Sequence, residues 1–374
     1  MELLPLSVLD LATVSSDATS AQALTEATEL ARKAEELGYS RFWVAEHHNM
    51  NTVASTSPAV LMAHVAASTE RIKVGSGGVM LPNHAPLVIA EQFALLEALH
   101  PGRIDLGIGR APGSDRQTMA VIRGSASALS VEDFPRDLID VMGLLGDIRT
   151  DHGLWNKFSA TPVATSSPSV VLLGSSGFSA QLAGVLGLPF TFANHFDTGG
   201  TLEAVKLYHE AFRPSPVLDS PYTIVSASVM AADSTQQAQL LASPSRLRKY
   251  GMRTGRFWPL LPPDEALSHP EWDRANAMPS NAIIGTAQEV TKGLKELAEQ
   301  TDANELFLHC SSYGMSERIA ALRSSPRTGA SKQSNVLKLT LFFNSHEQNH
   351  ITWNALRAVP NRERRRRSYC GAWT

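Results

Sequence analysis

The residues between Arg41 and Met50, RFWVAEHHNM, pass from an apolar run, Phe42 to Ala45, straight into Glu46, His47 and His48. A carboxylate beside imidazoles can do acid–base chemistry, because imidazole titrates near neutral pH. Neighbouring residues on a strand point to opposite faces, so His47 and His48 cannot share one task. A metal site is a weak reading: paired ligands on one helical face need i, i+4 spacing, and no further ligand cluster accompanies these residues. Cys310 and Cys370 supply neither a disulfide framework nor zinc spacing.

Other apolar runs also end in glycine or polar groups. Gly77-Gly78 interrupts RIKVGSGGVML, Gly109-Arg110 closes RIDLGIGR, Gly174-Ser175-Ser176-Gly177 follows SVVLL, and Asn194-His195 ends the run from Pro189. A glycine pair inside a strand marks a bulge or a flat ligand against the backbone. A Gly/Ser turn opening a helix offers backbone N–H groups and a favourable dipole to an anion, although a plain βα turn has the same composition. Arg110, set among small residues, is costly if buried unpaired. A phosphate would satisfy it through charge-assisted bonds, and so would a carboxylate such as Asp105 or Asp115. Arg110 with Ser175, Ser176, Gly177, Phe178 and Ser179 reads as a phosphate clamp. Gly77 and Gly78 add room for a flat ring, which fits flavin mononucleotide (FMN). No G-x-G-x-x-G or P-loop argues for a dinucleotide or nucleoside triphosphate.

What positions these groups is a rhythm of short apolar runs and helical patterns. Eight strands are expected near residues 4–9, 42–47, 72–81, 104–109, 170–174, 189–194, 222–231 and 305–310. Helical spacing between them implies parallel pairing with right-handed crossovers. Eight such units predict an α/β fold, a (β/α)8 TIM barrel with insertions after strands 4 and 7 (111–168 and 232–300). Barrel active sites sit at the carboxyl ends of the strands, where the polar groups fall. Residues 1–325 read as the barrel domain and 326–374, with the run NRERRRR, as a flexible extension or arm. A net charge of −3 gives no basic field for nucleic acid. With no signal-like start and no bilayer-length apolar run, a cytoplasmic protein is expected.

The motifs FWVAEHHN, RIKVGSGGVMLPNHAPLVIAEQFALLEALHPGRIDLGIGRAPGSDR and VVLLGSSGFSAQLAG closely resemble the bacterial-luciferase-like flavin-dependent oxidoreductases. The resemblance spans roughly residues 3–320. It implies a TIM barrel that takes reduced FMN from a separate NAD(P)H:flavin reductase and uses O2 to oxygenate an organic substrate. His47 matches the catalytic base, Arg110 the phosphate arginine, and Ser175, Ser176 and Ser179 the phosphate loop. A non-proline cis peptide is implied at Gly77-Gly78. Gly109 replaces the reactive cysteine of luciferase and Gly174 a carboxylate, which argues against light emission. Family members commonly pair through the helices after strands 2 and 3, so a homodimer with Glu91 near its interface is expected. The run Phe257, Trp258, Pro259, Leu260 and Leu261 points to an apolar or aromatic substrate, such as a polyketide in a tailoring step. Two other readings stand beside monooxygenation: hydride transfer with deazaflavin or nicotinamide, and flavin binding without turnover. Retention of His47, Arg110 and the serines weighs against the second.

Overall fold

A computed structural model describes residues 4–111, 113–123 and 133–325. The expected 326–374 extension therefore lies outside the described residues. Among the described residues ten strands form: β1 (Leu6–Asp10), β2 (Arg41–Val44), β3 (Lys73–Ser76), β4 (Val79–Met80), β5 (Ile104–Gly109), β6 (Ser169–Gly174), β7 (Phe190–Phe192), β8 (Thr223–Ala231), β9 (Ile283–Gly285) and β10 (Glu305–His309). All eight expected strands are present. The third is broken at Gly77-Gly78, whose peptide is cis, into β3 and β4, and both pieces pair with β5. Parallel pairing runs from β1 through β8, and β10 joins β8 to β1, closing the barrel. The unexpected β9 lies outside the barrel, pairing only with the end of β8 (Val229 opposite Ile283).

Helices α1 (Ser20–Glu36), α2 (Pro58–Ala67), α3 (Pro86–Leu99), α4 (Arg116–Arg123), α5 (Phe134–Leu144), α6 (Gly177–Leu186) and α7 (Thr201–Ala211) follow in order. α8 (Thr235–Arg253), α9 (Pro263–Ser268), α10 (Trp272–Ala277), α11 (Ala287–Thr301) and α12 (Met315–Ser324) complete the described residues. α1 shows the local logic. A Thr19/Gln22 capping box satisfies its first N–H groups, and Ala27, Leu30, Ala31 and Ala34 bury one stripe. Gly38, at φ 81°, turns the chain out after it. Among the described residues no helix is long and apolar enough to cross a membrane.

Strand alternation builds two cores. Val8, Phe42, Val44, Val74 and Leu106 face the helices, whereas Leu9, Trp43, Ala45, Val171, Ile224 and Phe307 fill the barrel. Inside, Trp43 and Phe307 pack with ring centroids 4.4 Å apart. The floor, at the strands' amino ends, is ionic. Arg41 Nη1 donates to Asp105 Oδ2 at 2.7 Å and its Nε to Glu305 Oε1 at 3.0 Å, while Tyr222 Oη donates to Glu305 Oε2 at 2.9 Å.

The two long intervals are only partly insertions. α5 packs on α3 and α11 on β8 and β10, so both are ordinary barrel helices. The added structure after β8 is α8, α9, α10 and β9. Its own small core joins Leu247, Ala266 and Ala275 to Tyr250, Trp258, Leu261 and Trp272. The apolar run at 257–261 is thus spent differently from the expected substrate wall. Trp258 and Leu261 belong to that small core, and Phe257 is exposed. Leu260 is buried and pairs with the segment after β1, accepting from Ser16 N at 2.8 Å and donating to Val14 O at 3.2 Å.

Candidate active site

The parity of β2 decides where the Glu-His-His residues go. Trp43 and Ala45 face the barrel interior and Phe42 and Val44 face the helices. Continuing that alternation, His47 turns toward the mouth and Glu46 and His48 turn away. Glu46 is fully buried and accepts from four donors: His48 Nε2 at 2.8 Å, His84 Nε2 at 2.9 Å, Met80 N at 2.9 Å and Asn83 Nδ2 at 3.1 Å. Burial pushes this carboxyl up, but the bonds from His48, His84 and the Met80 N–H win and hold it at about 2. Glu46 therefore fastens the β2 outlet to the chain just beyond the Gly77-Gly78 break.

His47 is buried in different company. Burial, reinforced by the Arg248 guanidinium, lowers it to about 4, so the imidazole is neutral at neutral pH. His309, at the end of β10, is lowered to about 4, mainly by burial. His195 is held well below its ordinary range by burial and by neighbouring His309 and Lys249. The His195 and His309 rings lie 5.5 Å apart, and His195 Nδ1 is 2.6 Å from Ser226 Oγ. Helix α8 reaches this cluster from the insertion: Lys249 Nζ donates to His195 O at 2.9 Å and to Asp197 Oδ2 at 2.7 Å. Asp10, at the end of β1, is paired with Arg318 of α12.

Arg110 and the serine loop meet on the other side of the mouth. The Arg110 guanidinium carbon stands 4.3 Å from the centre of the Phe178 ring. Phe178 lies in the first turn of α6, where Ser176 is the N-cap residue and makes no side-chain capping bond. Ser175 is exposed and Gly177 half-buried, while Ser179 is buried behind Gly174. A Cβ on Gly174 would meet Ser179 Cβ at 2.6 Å, so this close approach leaves no space for a carboxylate there. Asp105 is engaged by Arg41 and Trp43, and Asp115 caps α4 by accepting from the Gln117 and Thr118 N–H groups. The structure thus brings the expected residues to one barrel end: His47, the Gly77-Gly78 break, Arg110 and residues 175–179. Sequence reasoning missed Arg248, His309 and the anchoring role of Glu46. The strand-end rule applied to the tenth strand, ELFLH, would have found His309. A separate groove of about 900 Å³, lined by Gln237, Leu240, Arg246, Trp272 and Ile284, shares none of these residues.

Residues 4–304 match the luciferase-like monooxygenases as a family. The chain belongs to that family. Its members are flavin-dependent monooxygenases, so the chain is an enzyme of the luciferase-like class. A luciferase-like monooxygenase of Escherichia coli K12 is 41% identical over 307 residues, covering 81% of this chain and 90% of that one. The N-acetyl-S-alkylcysteine monooxygenase of Bacillus subtilis 168 is 33% identical, covering 81% and 91%. Among solved structures, apo-MsnO8 superposes with a TM-score of 0.79 at 36% identity, covering 86% of this chain and 97% of that one.

Proposed function

We propose that the chain is the oxygenating component of a two-component system, binding reduced FMN and using O2 to oxygenate a small organic molecule. The observation that carries this reading is Arg110 stacked on Phe178, which joins a cation to the opening of α6. Arg110 would bind the flavin phosphate with the backbone N–H groups of residues 177–179 and the hydroxyls of Ser175 and Ser176. Phe178 holds the guanidinium plane in place. The backbone of the Gly77-Gly78 break, whose Cβ positions are closed off by Leu9, Trp43 and Gly107, would lie beside the ring system. Bound reduced FMN would supply the electrons that activate O2.

The chain's own residues do the rest. His47, neutral at working pH, accepts a proton at its imidazole or orients a partner by hydrogen bonding. α8 and the Leu260 contact cover the mouth and limit water entry. A flavin reductase supplies the reduced cofactor, and two copies associate through α2 and α3. Those helices are mostly apolar and expose Val60, Val88, Leu95 and Leu99. The Bacillus relative, named for sulfur-bearing substrates, widens the substrate screen beyond apolar and aromatic compounds.

Anaerobic titration with reduced FMN tests the reading. Tight binding that weakens at least tenfold in Arg110→Ala is expected. Tighter binding of a reduced deazaflavin than of reduced FMN would favour hydride transfer instead, and failure to bind either would remove the cofactor assignment.

A further inference from the structure

Four cationic side chains of α8 can be compared directly, and one stands apart. Arg246 donates to the carbonyls of Ala275, Asn276 and Met278. Lys249 is bound to Asp197 and Arg253 to the carbonyls of Phe196 and Asp197. Arg248 is more deeply buried than a surface cation, at 6% exposure, yet its Nε and Nη2 are enclosed without a hydrogen-bond partner among the described residues. Those two nitrogens form the side edge of the guanidinium, whose parallel N–H bonds match the two oxygens of one carboxylate. Burial lowers Arg248 to about 10 and no carboxylate offsets it, so it stays charged at neutral pH. The charge acts on His47 and His309, which places Arg248 at the same mouth as the candidate base. Asp10, the acid at the adjoining β1 outlet, is paired through Oδ1 with Arg318, and its Oδ2 has no hydrogen-bond partner among the described residues, Arg248 included. Ser311, two residues beyond β10, also buries a hydroxyl with no protein partner. An uncompensated buried cation is costly to the fold.

We propose that the side edge of Arg248 is the substrate's anion subsite, and that the substrate is an organic carboxylate docked there with its reacting part toward His47. This rests on the oxygenase reading above and narrows it, since the apolar run at 257–261 gives no support for a purely apolar substrate.

The test pairs two carboxylates with their neutral amides: hexanoate with hexanamide, and benzoate with benzamide. Calorimetric titration and melting temperature are read on the full chain, with and without FMN, in a buffer free of carboxylate and phosphate. At least one carboxylate should bind and raise the melting temperature, while its amide binds at least tenfold more weakly. Arg248→Met should abolish that difference, and Arg248→Lys, which keeps charge but loses the fork, should weaken carboxylate binding about tenfold. Arg248→Met should melt no lower than the unaltered protein and should bind reduced FMN unchanged. The proposal is overturned if neither carboxylate binds, if binding survives Arg248→Met, or if that variant melts well below the parent. It is equally overturned if Arg248→Met loosens FMN, which would make Arg248 part of the flavin site. Failure of FMN to bind the unaltered protein would sink the oxygenase reading alone, because carboxylate binding is also read on the flavin-free chain.

Discussion

Glu46 and His47 are adjacent in sequence and have opposite electrostatic fates. Four donors converge on Glu46, so its charge is stabilised; His47 is buried beside a cation, so its charge is suppressed. Glu46→Gln keeps the shape but removes the charge and turns one acceptor into a donor facing other donors. It should lower stability by about 2–4 kcal/mol in urea denaturation at pH 7, with smaller losses showing that the hub is dispensable. The two shifts act in one direction with pH. His47 and His309 bind protons more weakly folded than unfolded, so stability is complete above 6.5 and falls as pH drops toward 4. Each contributes up to about 3 kcal/mol to that loss. Glu46 adds its own loss only below 4.5, as pH approaches 2. Denaturation midpoints from pH 8 to 5 should therefore decline, and His47→Asn should flatten the slope; an unchanged slope would contradict the buried neutral imidazole. The type of chemistry at this position was legible in the sequence because a polar triplet ends an apolar strand. The division of labour follows from parity. The identity of the second imidazole on Glu46, His84, depends on a turn that no local pattern announces.

At the scale of elements, the insertion after β8 is a cover with its own core, fastened to β8, to the segment after β1 and, through Lys249, Arg253 and Asn281, to residues 194–197. β9 mounts it on β8, and Leu260 stitches it to the strand-like segment Val14–Ser16. Leu260→Ala removes a buried side chain at the second fastening and should cost about 2–4 kcal/mol locally. Hydrogen exchange should accelerate at Val14–Ser16 and residues 255–262 while α1 stays protected; uniform protection would show that the stitch is not needed. The run FWPLL was visible in the sequence as apolar, but burial in a private core and burial around a substrate leave the same pattern. Only its partners, Ala266, Ala275 and Trp272, decide. Arg248 was hidden for a related reason: a single arginine in a helix rich in basic residues carries no mark of having no partner.

Across the whole molecule, the two ends of the barrel use charge differently. The floor pairs Arg41 with Asp105 and Glu305, far apart in sequence and closed into one network, as expected of the end that carries stability. The mouth gathers shifted histidines and an unmatched cation. The sequence rhythm was enough to read eight strands and the end where polar groups gather, whereas Glu305 reaches Arg41 only when the first and last strands pair. The outer wall bears on assembly. Leu95 and Leu99 on α3 are 49% and 59% exposed, so Leu95→Lys should convert a sedimenting dimer to a monomer without loss of melting cooperativity. A monomeric parent protein would refute the proposed pairing.

The nine-residue β8 is at once a barrel stave and the mount for the cover, because its first half pairs with β7 and β10 and its second with β9. A rod shared this way cannot serve as a hinge, since bending it would break the barrel itself. The cover's remaining attachments are the Leu260 stitch and the side-chain bonds of Lys249, Arg253 and Asn281 to residues 194–197, so any parting of the cover from the barrel has to break these while β8 stays paired.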